Sequence, residues 1–185
     1  MQNERTLVFK TVKSKTIATL VAVIAAVALP QLVHAVGSVS GMGTSLGEAL
    51  LPMHLAVILI GFLAGPICGV IAGACAPLLS FAISGMPTAI MLPFILIELV
   101  GYGFVSGMLS KTKLSVLLKL LIVQLGGRAL RSLAVTIAVF GLSSPVAISS
   151  IWMSLLIGLP GILLQWALIP LLMYRIEKSS NSLKG

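Results

Sequence analysis

Charged residues are scarce in this sequence of 185 residues, and acidic residues are the scarcest of them. Charged side chains make up 9% of the chain, with four acidic residues against twelve lysines and arginines. Hydrophobic residues make up 58%, and the mean hydropathy is +1.17. Soluble globular domains carry about 25% charged residues. The composition therefore excludes a soluble globular domain and predicts an all-α integral membrane protein.

Motifs for hydrolysis and metal binding are also lacking. The sequence has no His-Glu-x-x-His zinc motif and no glycine-rich phosphate loop ending in Lys-Ser or Lys-Thr. Its two cysteines, Cys68 and Cys75, are seven residues apart on one predicted helix and cannot form a disulfide bond there. Two histidines and two cysteines at these positions do not make a metal site either. We therefore expect no enzymatic activity, no metal and no cofactor, and any ATP must be hydrolysed by another chain.

Lysines and arginines are grouped at the two ends of the chain and in one internal segment. The groups are Arg5, Lys10, Lys13 and Lys15, then Lys111, Lys113 and Lys119, and finally Arg175, Lys178 and Lys184. This is the distribution of the positive-inside rule, in which cytoplasmic segments carry the basic residues. The net charge of +8 therefore reflects membrane topology, and we expect no nucleic-acid partner.

Apolar stretches lie between these basic groups. They predict six transmembrane helices in a single membrane domain, at about residues 16–35, 47–64, 66–84, 88–109, 114–140 and 147–173. Both termini are then cytoplasmic, which explains the position of every basic group. A signal peptide is the alternative for the first 35 residues, since a basic start and an apolar run precede Val33-His34-Ala35. The predicted helix is long for a signal peptide, and its removal would leave five spans.

The longest apolar stretch, residues 114–140, contains two arginines, Arg128 and Arg131. An arginine near the bilayer centre costs about 2.5–3.5 kcal/mol, so it usually faces the protein interior or a wet cavity. Glu98 lies at a similar depth on the preceding predicted helix, and we predict that it pairs with Arg128. Arg131 is then a surplus charge near an externally open recess that also contains His54. Purely structural roles, such as an arginine paired with a buried carboxylate and a hydrogen-bonded histidine, are the alternative.

Residues 36–47 form the one long polar stretch between predicted helices. This stretch contains four glycines and no charged residue. We predict an external loop that closes over the recess as a lid, with Met42 and Thr44 as candidate substrate contacts. The alternative is a disordered connector.

Several segments resemble the substrate-binding (S) subunits of energy-coupling factor (ECF) vitamin transporters. They are Ala-x-x-x-Ala in the first span, Pro-Met-His-Leu at 52–55, Gly-Phe-Leu-Ala-Gly-Pro at 61–66, Ala-Pro-Leu-Leu-Ser at 76–80, Ser-Gly-Met-Pro at 84–87, and the stretches 97–107 and 127–128. The resemblance covers most of residues 16–173 and is greatest for the subgroup of pantothenate, hydroxymethylpyrimidine and cobalamin subunits. It implies a six-helix bundle in a prokaryotic cell membrane, with a vitamin site near the outer side and the first external loop as its gate.

The resemblance also implies partners. An S subunit works with a transmembrane coupling protein and two cytosolic ATPase subunits, binds a small vitamin and is surrounded by membrane lipid. The stripe of small residues Ala18, Ala22 and Ala26 would dock on the coupling protein, and packing inside the bundle is the alternative. The substrate contacts expected in this chain are His54, Glu98, Arg128, Arg131, Met42 and Thr44.

The surplus charge predicted at Arg131 favours an acidic ligand, because a desolvated arginine gains a bidentate pair with a carboxylate. Among the vitamins of the subgroup, this favours pantothenate over hydroxymethylpyrimidine or cobalamin. If Arg131 instead extends outward or faces Glu48, the other two ligands fit as well. An intramembrane enzyme or an unrelated small channel stays an alternative to the S subunit. It would require a nucleophile–base pair or a polar stripe across the whole membrane.

Overall fold

The computed structural model describes residues 8–43 and 45–182, and every regular element in these ranges is helical. The helices are α1 (Val12–Val39), α2 (Ser45–Leu50), α3 (Pro52–Ala64), α4 (Pro66–Ser84), α5 (Leu92–Leu109), α6 (Val116–Gly141), α7 (Ser150–Ile157) and α8 (Leu159–Ser182). Six stretches in these ranges are long and apolar enough to cross a membrane: α1, α2 with α3, α4, α5, α6 and residues 159–176 of α8. The prediction of an all-α chain with six helices long and apolar enough to cross a membrane is confirmed for the described residues.

Close contact between α4 and α5 forms the centre of the bundle, and glycines make it possible. A Cβ atom at Gly69 would overlap the backbone of Gly103, and one at Gly103 would overlap the backbone of Gly69. A Cβ atom at Gly73 would likewise lie 2.5 Å from the carbonyl oxygen of Leu99. The two helix backbones therefore touch, as small residues allow in membrane bundles. The main core then extends from this pair onto α3 and α1.

The stripe of small residues on α1 packs inside the bundle. Ala26 is 0% exposed, and Ala18 and Ala22 are partly buried against the main core. The outward face of the helix instead carries large side chains such as Leu20 and Ile24. The prediction that all three alanines form a docking surface is therefore wrong for Ala26. Its small side chain allows α1 to pack closely against α3 and α4.

The last predicted span, residues 147–173, is two helices in the structure. Helix α7 ends at Ile157, and α8 begins at Leu159. Pro160 explains the break, because it has no N–H to donate to the carbonyl of Leu156 and its ring would clash with that carbonyl. The apolar helix that is long enough to span the membrane is therefore 159–176. Helix α7 is left as a separate short element.

The predicted lid at residues 36–47 is also shorter than expected. Helix α1 continues through Val39, and α2 already begins at Ser45. The Gly37 carbonyl accepts hydrogen bonds of 2.9 Å from the N–H groups of both Met42 and Gly43, which reverses the chain tightly. Gly41 and Gly43 have positive φ angles of 76° and 56°, so the glycines that suggested a flexible loop form a helix end. The bounds of the predicted loop are therefore wrong.

The lysines of the described ranges lie towards one end of the bundle. Lys13 and Lys15 are in the first turn of α1, Lys111 and Lys113 lie between α5 and α6, and the last turns of α8 contain Lys178. Because successive spans alternate in direction, these segments meet at the same end. The opposite end contains the non-helical connections from α4 to α5 and from α6 to α7, and a cavity lies there.

Candidate functional site

A cavity of about 320 Å³ lies at the end of the bundle opposite these lysines. This volume is at the lower end of the range of small-molecule sites. Its walls come from α1 to α7 and the turn before α5. The residues that line it are Pro30, His34, Gly47, Glu48, Leu51, Pro52, Met53, His54, Ser80, Met86, Pro87, Thr88, Met91, Ile95, Glu98, Arg128, Arg131, Ser150, Met153, Ser154 and Ile157. Most of the wall is apolar, with a few charged and polar groups turned inward.

The carboxylate of Glu98 is the centre of the polar cluster in this cavity. Its Oε2 atom accepts a hydrogen bond of 2.8 Å from Nη1 of Arg131, and its Oε1 atom accepts one of 3.0 Å from the hydroxyl of Tyr102. The Nε2 atom of His54 lies 3.8 Å from Oε2, and the His54 ring stands edge-on to that of Tyr102. Glu98 is 1% exposed, so this ion pair is buried. The predicted pairing of Glu98 with Arg128 is therefore wrong, because Arg131 occupies the carboxylate.

Local helix geometry explains this arrangement. Glu98 and Tyr102 are four residues apart on α5, where side chains lie on the same face. Gly127 on α6 leaves room for the Tyr102 ring, since a Cβ atom there would overlap the ring carbons. The close approach of α5 and α6 then places Arg131, one turn beyond Gly127, beside the carboxylate.

The surplus charge at the cavity is Arg128, whereas the sequence predicted Arg131. The Nη1 atom of Arg128 donates a hydrogen bond of 3.3 Å to the carbonyl oxygen of Ser154 on α7. Gly158 makes space for the guanidinium, because a Cβ atom there would lie 3.0 Å from Nη2. The carboxylate of Glu98 pairs with Arg131 and lies near His54, and neither contact includes Arg128. Of the two cavity arginines, Arg128 is thus the one without a carboxylate partner among the described residues.

Several buried polar atoms that line the cavity have no hydrogen-bond partner among the described residues. They are Nδ1 of His34, both ring nitrogens of His54, Nε of Arg128, Nε of Arg131 and Oγ of Ser150. Each of these residues lines the same cavity. Buried polar groups in proteins are nearly always satisfied, so this cluster of unsatisfied groups makes the residues around the cavity candidates for binding a polar molecule.

The predicted site residues are brought together only in part. His54, Glu98, Arg128 and Arg131 all line the cavity, and whether they contact a substrate stays a prediction. Met42 does not line it and is 51% exposed, while Thr44 lies outside the described residues. Met42 lies within the tight turn at the end of α1, where its side chain is exposed and does not reach the cavity.

Residues from α1 and α7 in the cavity wall were not predicted. His34 packs on Gly47, where a Cβ atom would overlap the imidazole ring. Ser150, Met153 and Ser154 come from α7, which the sequence places inside a longer span. In the sequence, Pro160 could have indicated α7, because a proline ends the helix that precedes it. His34 could have been noticed because it is an ionisable residue near the end of an apolar span.

A second polar cluster lies beside the cavity and ties α6 and α8 to the junction between α2 and α3. The Nε1 atom of Trp166 donates to Oε1 of Gln124 at 2.7 Å, and Nε2 of Gln124 donates to Oε1 of Gln165 at 3.1 Å. Nε2 of Gln165 then donates to the carbonyl oxygen of Leu51 at 3.4 Å. Leu51 has a positive φ angle of 49°, which is uncommon for a residue other than glycine. The amide network thus supports a strained junction that lines the cavity.

The chain contains one Gly-x-Ser-x-Gly pattern, at residues 43–47. In α/β-hydrolases this pattern places a nucleophilic serine on a sharp turn between a strand and a helix. Here Ser45 follows helix α1, begins a helix of six residues and has an exposed side chain. It does not line the cavity that contains both His34 and His54. The pattern lacks the structural context of a hydrolase and does not favour an enzyme.

No family model, no curated protein and no solved structure matches this chain. Within residues 8–43 and 45–182, no three His, Cys, Asp or Glu side chains are grouped as metal ligands. The arrangement of the cavity is therefore the basis for a functional assignment. Chemically, it can bind a small polar molecule through Arg128, two histidines and a serine, inside largely apolar walls.

Proposed function

We propose that this chain is the substrate-binding subunit of an ECF-type importer for a water-soluble vitamin or vitamin precursor. The observation that carries the proposal is the cluster of unsatisfied buried polar groups around a cavity at one end of a six-span bundle. A binding subunit needs such a preformed site on one side of the membrane. The sequence resemblance to S subunits supports the same function.

The topology in this proposal follows from the basic residues. With both termini in the cytoplasm, the end of the bundle that contains Lys111 and Lys113 is cytoplasmic. The cavity is then at the outer side, where a prokaryotic cell would capture a nutrient. Uptake would require the transmembrane coupling protein and two cytosolic ATPase subunits, because the chain has no phosphate-binding loop of its own.

The size of the cavity limits the ligand. A volume of about 320 Å³ suits a molecule as small as pantothenate or hydroxymethylpyrimidine, whereas the corrin ring of cobalamin with its side groups is far larger. Pantothenate remains favoured because a cationic side chain without a carboxylate partner lines the cavity. That side chain is Arg128 and not Arg131.

An unrelated small channel is less well supported. Apolar side chains that are 0% exposed follow the cavity residues towards the basic end of α3, α5 and α6; they include Val57, Ile58, Leu99 and Val123. A channel would need polar groups through this region. A closed inner side is what a binding subunit requires, since substrate must not leak inward.

Binding of a vitamin panel to the purified chain in lipid nanodiscs tests this function. Calorimetric titration with pantothenate, hydroxymethylpyrimidine and cobalamin should show saturable binding of one small vitamin and none of cobalamin. In parallel, the tagged chain purified from its own cells should bring down a membrane protein and two ATPases. If none of the vitamins binds and no ATPase accompanies the chain, the proposed function is wrong.

A further inference from the structure

One edge of the Arg128 guanidinium has no hydrogen-bond acceptor among the described residues. Nη1 donates to the Ser154 carbonyl, whereas Nε is buried and finds no partner in the same part of the chain. Nη2 makes no hydrogen bond within residues 8–43 and 45–182. Nε and Nη2 form one side of the planar guanidinium, and their two N–H bonds are nearly parallel. This is the side that binds the two oxygens of a carboxylate in a bidentate pair.

Neither acid of the cavity fills that position. Glu98 is held by Arg131 and Tyr102 through both of its oxygens. Glu48 lines the cavity too, but its side chain is exposed and makes no ion pair with Arg128. Arg128 is partly buried, so its charge is not fully hydrated, and no described carboxylate pairs with it. A bound anion would supply what is missing.

Helix α7 adds a second candidate donor to the cavity wall. The Oγ atom of Ser150 is buried without a partner among the described residues, and Ser150 lines the cavity one turn before Ser154, whose carbonyl oxygen holds Arg128. Ser150 and Ser154 are four residues apart on α7, so both lie on the side of this helix that contributes to the cavity wall. The break before Pro160 creates this wall, because it frees α7 from the span that follows.

We propose that Arg128, with Ser150 in the same cavity, is the residue that makes the cavity selective for a small organic acid with one carboxylate. This inference rests on the proposed function and names the chemical group that the site selects. A phosphate ester fits less well, because its second negative charge would face the carboxylates of Glu98 and Glu48 in the same cavity. The remainder of the ligand meets largely apolar walls and the unsatisfied nitrogens of His54, which suit a neutral chain with hydroxyl or amide groups.

Matched acid and neutral probes test this selectivity. The probes are pantothenate with pantothenol and nicotinate with nicotinamide, titrated into the full chain in nanodiscs. In the unchanged chain, the acid of the pair that binds should bind about 10- to 100-fold more tightly than its neutral counterpart, as a charge-assisted bidentate contact gives. Arg128→Gln should remove this preference and leave the affinity for the neutral probe nearly the same. Arg175→Gln, which removes an exposed arginine from the far end of α8, should keep the preference.

Each outcome bears on the inference separately from the function. Equal binding of an acid and its neutral counterpart, or a preference that survives Arg128→Gln, would overturn the inference while the function stands. Tighter binding of pantothenate phosphate than of pantothenate would also overturn it. If no probe binds, the inference fails, and the function is then decided separately by binding of the vitamin panel and by co-purification of the ATPases. If Arg128→Gln does not fold, Arg128→Lys decides, since it keeps the charge but loses the bidentate edge and should reduce the preference several-fold.

Discussion

Arg131 on α6 donates to the carboxylate of Glu98 on α5 across 2.8 Å, with 14% and 1% of the two side chains exposed. This pair joins two spans in the interior of the bundle. Burying either charge alone is far more costly than burying the two together. The same contact also removes Arg131 from the groups available to a ligand, which is why the chemistry of the cavity depends on its neighbour Arg128.

The first prediction concerns the stability that depends on this pair. Arg131→Gln should lower the free energy of unfolding by about 3–5 kcal/mol, because Glu98 would be left as an uncompensated buried charge. The double variant Arg131→Gln with Glu98→Gln should be more stable than Arg131→Gln alone, since it removes that charge. Thermal unfolding in detergent measures the difference. If the double variant is less stable than the single one by the full effect of Glu98→Gln, the two residues are not coupled.

The second prediction compares two adjacent glycines of α6. A Cβ atom at Gly127 would overlap the ring of Tyr102, whereas one at Gly126 would come no closer than 3.6 Å to a neighbour, the side chain of Val105. Gly127→Ala should therefore destabilise the protein by about 1–3 kcal/mol through overpacking. Gly126→Ala should be neutral or slightly stabilising, since alanine favours a helix more than glycine does. Thermal unfolding of the two variants checks this order, and equal effects would contradict the packing shown around Tyr102.

The third prediction concerns the amide network beside the cavity. Gln165→Leu should leave the amide of Gln124 without its acceptor and the Leu51 carbonyl without one of its donors, at a cost of about 1–3 kcal/mol. The junction of α2 and α3 should then open more often. Hydrogen exchange at residues 45–55 should accelerate in this variant. In Gln31→Leu, which removes an amide that binds Ser84 on the exposed side of the bundle, exchange at residues 45–55 should be unchanged. Faster hydrogen exchange in both variants would show that the amide network does not specifically stabilise the junction.

Hydropathy and the positive-inside rule predicted the class and the number of spans, because each span is an autonomous apolar segment. The site was harder to predict. Glu98, His54 and the two arginines were found because ionisable residues in apolar helices stand out. The sequence did not predict which arginine pairs with Glu98. Arg128 and Arg131 are one helical turn apart, and the choice between them depends on how α5 and α6 pack at Tyr102 and Gly127. Helix α7 was missed for a local reason, the effect of Pro160 on the preceding turn.

The last prediction concerns Glu48 at the edge of the cavity. Its exposed carboxylate repels an anion that approaches Arg128, but water and salt weaken this repulsion. Glu48→Gln should therefore increase the affinity for an acidic ligand by about two- to threefold at low ionic strength, and it should leave the affinity for the neutral counterpart unchanged. The gain should disappear at about 1 M salt, where the Debye length is about 3 Å. Titration of pantothenate and pantothenol into this variant at two salt concentrations measures both effects. A weaker affinity for the acid would mean that Glu48 helps to hold the ligand, for example through a cationic group on it, and would contradict a simple carboxylate site at Arg128.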